Sequence, residues 1–360
     1  MKFREELLNI KPYVPGKPIE EVKRELGLSD VIKLASNENP LGPSPLGVAA
    51  AVEATSKLNY YPDGACFELK EELSKRLEVD SSQVILGNGS DEIIKLLAET
   101  FLYPGDEVIV GKHTFGEYEF AAKLMGGKLI VIEPKDWRED LAAMSDAVTS
   151  RTRLVFVGNP NNPLGTAVKR REVDAFLAKL PEDAILVLDE AYREYVTDPD
   201  YPESIEYIKA GKNVVALRTF SKIYGLAGLR VGYGIAKAEL ISALSRAREP
   251  FNVNSLAQAA ARAALADSGH IAESKRINEE GKAYLYREFE RLGLAYLPTE
   301  ANFILVQVGR SSAEVFRKLM ALGVIVRTGD IFGLPDFIRV SIGLPAENRR
   351  FISALCEILN

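Results

Sequence analysis

Cysteine and histidine are almost missing from this chain: Cys66, Cys356, His113 and His270 are all it has in 360 residues. The cysteines lie far apart and in unlike settings, which argues against a disulfide framework and leaves two reduced structural thiols. Neither histidine stands at a spacing from cysteines or carboxylates that would build a metal site, so no metal is expected. The same scarcity weakens a Ser-His-Asp hydrolase reading. Long apolar runs are lacking too. Runs such as AILVL, Ala184 to Leu188, fall far short of the roughly 18 residues of a membrane helix. The amino terminus alternates charge with short apolar pieces and has no secretion-signal core, so the expectation is a cytoplasmic protein with no membrane partner. A one-sided charge is also absent: 45 Lys and Arg stand against 51 Asp and Glu, a net −6 without a like-charge tail. Nucleic acid is therefore not an expected partner.

What is present is ordinary globular material, 47% hydrophobic and 27% charged. The length suggests two domains, or one large domain with a lobe. Short β-branched runs alternate with helical patterns: QVILG before a helix carrying Ile93, Ile94, Leu96, Leu97 and Phe101, then DEVIV, KLIVI, RLVFV, AILVL and NVVAL. That alternation predicts an α/β fold, a mostly parallel central sheet flanked by helices. Four of the runs end in polar groups: Gly89-Ser90-Asp91, Asn159 to Asn162, Asp189, and Thr219 with Ser221 and Lys222. In open parallel sheets ligands sit beyond the carboxyl ends of the strands, so these groups are expected to converge on one site. After Asn254 a long helical tract begins with Ser255 as its expected cap. Shorter strands and helices beyond Pro298 read as a smaller α+β lobe.

The chemistry centres on Lys222, in TFSKIYGLAGLRVGYG, Thr219 to Gly234. A lysine amine becomes a nucleophile only when unprotonated, and its usual client is a carbonyl, here that of an aldehyde cofactor. Arg230, eight residues on, is suited to hold a phosphate. A solvated lysine is the bland alternative for an isolated Ser-Lys pair. Asp189 ends an apolar strand and needs a cation, which a pyridinium nitrogen provides; capping a helix begun at DEAY is the competing reading. Tyr192, three residues after Asp189, could reach the ring oxygen from the same element, and Asn162 could donate to it from the neighbouring strand end. Gly89-Ser90-Asp91 at a helix start makes an anion site. Phe115 could stack on a flat ring, or simply pack in the core. VGYGIA lacks the spacing of a dinucleotide fingerprint, which removes NAD. Arg327 and Arg339, in strand-like surroundings, need anionic partners, either a substrate or a structural carboxylate.

With these residues in place, the chain resembles the fold-type I, pyridoxal-phosphate-dependent aminotransferases of class I/II. NENPLGPSP, YPDG, GNGSDE, NPNNPLGT, DEAY, TFSKIYGLAGLRVGY, PFNVN, EANFILV, GVIVR and FIRVSIG occur in the family's order over nearly the whole length. The resemblance implies pyridoxal 5′-phosphate held through Lys222, Asp189 at the pyridine nitrogen, and Tyr192 and Asn162 at the ring oxygen. Gly89, Ser90, Asp91, Thr219, Ser221 and Arg230 would surround the phosphate, joined by Tyr61 from the other subunit of a homodimer. Phe115 would lie on the ring. Arg339 would clamp a carboxylate, with Arg327 and Asn37 as further substrate contacts and Tyr13 as a candidate aromatic from the arm. It also implies an arm over 1–32 that joins the small domain and the dimer contact, a large cofactor-binding domain over 33–268 and a small domain over 269–360. The substrates would be an amino donor and a 2-oxo acid. Aromatic amino-acid transfer and phosphothreonine decarboxylation share the fold and stay open, as does, more remotely, the sensory half of a transcription regulator. Leu164, Phe115 and Phe332 depart from the family pattern near the ring and pocket mouth.

Overall fold

The structure is a computed structural model and describes residues 2–8, 10 and 16–359. A two-residue strand, β1 (Ile32–Lys33), precedes the main sheet. Seven strands then follow: β2 (Val84–Gly87), β3 (Glu107–Gly111), β4 (Lys128–Ile132), β5 (Thr152–Gly158), β6 (Ile185–Asp189), β7 (Val214–Thr219) and β8 (Gly232–Ile235). They form one sheet in the order β2-β8-β7-β6-β5-β3-β4. Pairing is parallel from β7 through β4, and β8 runs antiparallel to both its neighbours. Because β8 reverses twice over, β2 points the same way as β7. The carboxyl ends of β2, β5, β6 and β7 therefore share one edge, as their polar endings predict.

Both faces of this sheet are covered, which is why its central strands are largely apolar and do not alternate. Val155, Val157, Leu186 and Leu188 face one core with Leu69, Leu73, Val173 and Phe176; Leu154, Phe156, Ile185 and Val187 face the other with Ile93, Leu97 and Ala122. Among the described residues no helix is long and apolar enough to cross a membrane.

Two features differ from expectation. The first is β8, which the glycines of VGYGIA concealed, since glycine weakens a strand reading. The structure shows what they do: a Cβ on Gly232 would stand 2.6 Å from the Ser90 nitrogen and 2.9 Å from the Arg218 oxygen. The strand is bare so that the helix Ser90–Phe101 can begin directly beside it. Gly232→Ala should push that helix start away, lowering stability by about 1–3 kcal/mol as overpacking does. Denaturant unfolding checks this; an unchanged midpoint would mean the strand does not constrain the helix.

The second is the long helical tract, which is two helices, Ser255–Leu265 and Ser268–Arg291. Asn254, not Ser255, caps the first by accepting from the Ala257 nitrogen at 2.8 Å. Asp267 caps the second and also accepts from the Ser44 hydroxyl at 2.6 Å. Aspartate competes for backbone donors, so it starts a new helix inside what reads as one.

The remaining strands are β9 (Tyr296–Leu297), β10 (Phe303–Gln307), β11 (Val324–Ile325), β12 (Arg327–Thr328) and β13 (Phe337–Ser341). Four make an antiparallel sheet in the order β12-β13-β10-β9, while β11 pairs in parallel with β1. Leu34, Ile304, Val306, Val340 and Phe351 share one core there. The chain leaving β1 thus passes from the small sheet to the large one through Ala35, Ser36 and Asn37.

Candidate active site

Asp189 closes β6 and is buried. Its Oδ2 accepts from the Tyr118 hydroxyl at 2.7 Å and its Oδ1 from the Ala191 nitrogen at 3.1 Å. Loss of water pushes the carboxyl from 3.8 up to about 6, with these two donors and the charge of Lys222 pulling the other way. No helix starts at Asp189; DEAY runs into a short 3-10 turn at Arg193–Tyr195, so the capping alternative falls away. Behind it, Arg218 Nε meets Glu190 Oε2 at 2.8 Å, a buried pair that ties β7 to the end of β6.

The turn expected to hold an anion lies at the start of the helix Ser90–Phe101. Gly89 adopts φ 82 as the cap of Ser90–Phe101, and any Cβ there would meet Arg230 Nη2 at 2.6 Å. Arg230, itself left-handed at φ 53, reaches Asp91 Oδ2 at 3.0 Å. Thr219 and Ser221 are buried beside Lys222, with the Ser221 nitrogen donating to Thr219 Oγ1 at 3.0 Å. Lys222 is half-buried; its Nζ donates to the Ser36 oxygen at 3.3 Å and lies 5.6 Å from the Tyr192 ring centroid.

Opposite these groups the small sheet contributes its arginines. Arg327 and Arg339 are register partners across β12 and β13, so their side chains share a face. Two arginines on one face of the sheet suit a ligand with anionic groups. Arg339 donates to Asn162 Oδ1 and, at 2.7 Å, to the Ala35 oxygen. Asn37, left-handed at φ 57, gives its Nδ2 to the Tyr192 hydroxyl at 2.9 Å and takes the Ser341 hydroxyl at 3.0 Å. Asn302 Nδ2 holds the Asn37 carbonyl at 3.0 Å.

The structure thus brings Lys222, Asp189, Tyr192, Asn37, Asn162, Thr219, Ser221 and Arg339 to one edge of the sheet, with Gly89, Ser90, Asp91 and Arg230 at its anion end. Phe115 caps the next helix, Gly116–Leu124, and stands edge-on to Tyr118 at 5.7 Å. Tyr61 is elsewhere: it is 82% exposed and stacks on Phe251 at 4.9 Å. Tyr13 lies outside the described residues. Sequence reasoning missed Tyr118, although its place one helical turn after Phe115 is a usable signal. It also missed Glu139, Asn161, Ser341 and Asn302. Glu139 is buried, which pushes its carboxyl up to about 8; Oε1 accepts from Asn161 Nδ2 at 2.9 Å. That bond steadies the loop carrying Asn162.

The donor set fits a flat, phosphorylated heteroaromatic aldehyde. Backbone and guanidinium donors surround an anion position, a buried acid awaits a cationic ring nitrogen, and an amine stands within range of that acid's charge.

The family described as aminotransferase class I and II matches residues 29–355. The histidinol-phosphate aminotransferase of Moorella thermoacetica is 61% identical over 359 residues, 99% of this chain and 93% of that one. Its namesake from Caldicellulosiruptor saccharolyticus is 50% identical over 357 residues, 99% of this chain and all of that one. Among solved structures, histidinol-phosphate aminotransferase of Sinorhizobium meliloti in complex with pyridoxal-5′-phosphate matches with a TM-score of 0.92 at 29% identity, covering 99% of this chain and 97% of that one.

Proposed function

The chain belongs to the class I and II aminotransferases, and from that membership we propose that it transfers the amino group of L-histidinol phosphate to 2-oxoglutarate. The products are imidazole-acetol phosphate and L-glutamate, a step of histidine biosynthesis, and the cofactor is pyridoxal 5′-phosphate. One arrangement carries the chemistry: buried Asp189 with the Lys222 ammonium in range of its charge, beside a donor-lined anion site. Identity to the two named relatives carries the choice of substrate.

When bound, the cofactor supplies an aldehyde and an electron-withdrawing ring. Lys222 would hold the aldehyde, and its amine, once freed, would serve as the base that moves the substrate's α-proton. Asp189 would pair with the ring nitrogen, a positive partner offsetting the burial that raises its carboxyl. Tyr192 and Asn162 would hold the ring oxygen, Phe115 would cover the ring, and Gly89, Ser90, Asp91, Thr219, Ser221 and Arg230 would enclose the phosphate. Arg339 and Arg327 meet the phosphate of the donor and the carboxylates of the oxo acid in turn, with Asn37 between them and Tyr192. Residues 33–268 form the cofactor domain, 269–360 the smaller one, and 1–32 an arm. The enzyme works as a cytoplasmic homodimer in which the exposed Tyr61 reaches the cofactor phosphate of the other protomer; exposed Leu58, Tyr60, Phe67 and Phe251 supply apolar surface for that contact.

Adding histidinol phosphate to the holoprotein should shift its visible spectrum and support glutamate formation from 2-oxoglutarate. Its kcat/KM should exceed that of phenylalanine by at least about tenfold, the effect of one unmatched buried polar group. Preference for phenylalanine, or carbon dioxide released from phosphothreonine, would overturn the substrate.

A further inference from the structure

His113 lies just beyond β3, at the same sheet edge as the site, and is nine-tenths buried. It belongs to none of the groups assigned above. Its Nδ1 stands 2.6 Å from the carbonyl oxygen of Phe332, 219 residues away. A carbonyl has no proton to give, so the imidazole donates. Phe332 ends a short 3-10 turn, Asp330–Phe332, that projects from between β12 and β13. Internal bonds keep that turn folded: the Phe332 nitrogen donates to Gly329 and the Gly333 nitrogen to Asp330, each at 2.9 Å. Among the described residues its hydrogen bond to the large-sheet side is the one from His113. Gly333, left-handed at φ 75, closes the turn against the imidazole, 3.6 Å separating His113 Cε1 from the position of a Cβ there, an ordinary contact.

What the turn supports is the substrate clamp. The Arg339 guanidinium carbon lies 5.5 Å from the Phe332 ring centroid and 5.2 Å from that of Phe303. Phe303 is fixed inside β10 and fully buried. Phe332 is half-buried on a turn, so its place depends on what anchors the turn. Cation–π support of this kind depends on where the ring face lies.

We propose that His113 is a positioning residue for anionic substrate: by holding the Phe332 carbonyl it sets the ring that flanks Arg339, and so tunes affinity without entering proton transfer. This rests on the reading of Arg339 as the clamp.

Three variants of the holoenzyme test it. His113→Ala removes the donor and the ring. His113→Phe keeps an aromatic ring and loses the donor. His113→Asn places an amide nitrogen near the Nδ1 position and keeps the donor. Ala and Phe should each raise KM for 2-oxoglutarate and for histidinol phosphate roughly three- to tenfold, the range of one net hydrogen bond, with kcat within about twofold. Asn should return KM most of the way, and cofactor retention should be alike in all four proteins. If Phe behaves as wild type while Asn does not, the residue only fills space and the proposal is overturned. Unchanged KM in both Ala and Phe overturns it as well. Absence of amino transfer by the wild-type protein would instead sink the reading of the whole site, which separates the two failures.

Discussion

Lys222→Ala should leave a folded protein whose amino transfer is lowered by about 10^4-fold, the upper end of what a positioned proton-transfer group contributes. The loss is large because, in the proposed role, one side chain would both hold the aldehyde and move the proton, and alanine can do neither. Its structural cost is small. The Lys222 ammonium makes one hydrogen bond, to the Ser36 carbonyl, and sits half-buried at a sheet edge, so its removal opens no sealed cavity. The pH-dependent visible band of a lysine-bound aldehyde should vanish, while the unfolding midpoint stays close to that of the wild type. A variant that retains both the band and turnover would place the nucleophile elsewhere.

Asp189→Asn should separate function from stability in the opposite sense. The folded-state carboxyl lies at about 6 against an ordinary 3.8. Folding therefore holds this proton more tightly than the unfolded chain does, and ionisation works against the fold. The penalty is absent below the unfolded value, grows between the two, and is complete above the folded one. Asparagine cannot ionise. The cofactor-free variant should thus be more stable than the wild type above pH 6, by up to about 3 kcal/mol, with the gap closing toward pH 4. Turnover should meanwhile fall by about 10^2- to 10^4-fold, the consequence of leaving a buried positive ring nitrogen without its acid at about 3–5 kcal/mol. Urea unfolding across this pH range, with and without cofactor, reads both effects. An apoprotein gap that does not change with pH would refute the desolvation account of Asp189.

The parts of the site that lie along single strands were legible in the sequence. Asp189, Lys222 and the Gly89-Ser90-Asp91 turn each follow an apolar run, and strand direction alone sends such endings to one edge. Illegible were contacts made across sequence distance: Tyr118 to Asp189, Asn302 and Ser341 to Asn37, His113 to Phe332. A tyrosine or asparagine carries no mark of which buried atom it will satisfy until the sheets are stacked. β8 was hidden for a different reason. Its glycines suit the helix laid against it, and tertiary packing overrides the local preference that sequence patterns report. The break at Asp267 reversed that error, since local capping chemistry there divided a pattern that helical periodicity alone would join.

Ser36 and Asn37 are neighbours in the chain, yet one receives the Lys222 amine and the other grips Tyr192. The proposed nucleophile and the proposed ring contact therefore both rest on a single dipeptide. A lineage drifting toward a new donor could not adjust Asn37 freely, because any backbone shift there would also move the lysine's resting place. Selectivity should evolve more readily on the side of the cleft where no such double duty exists.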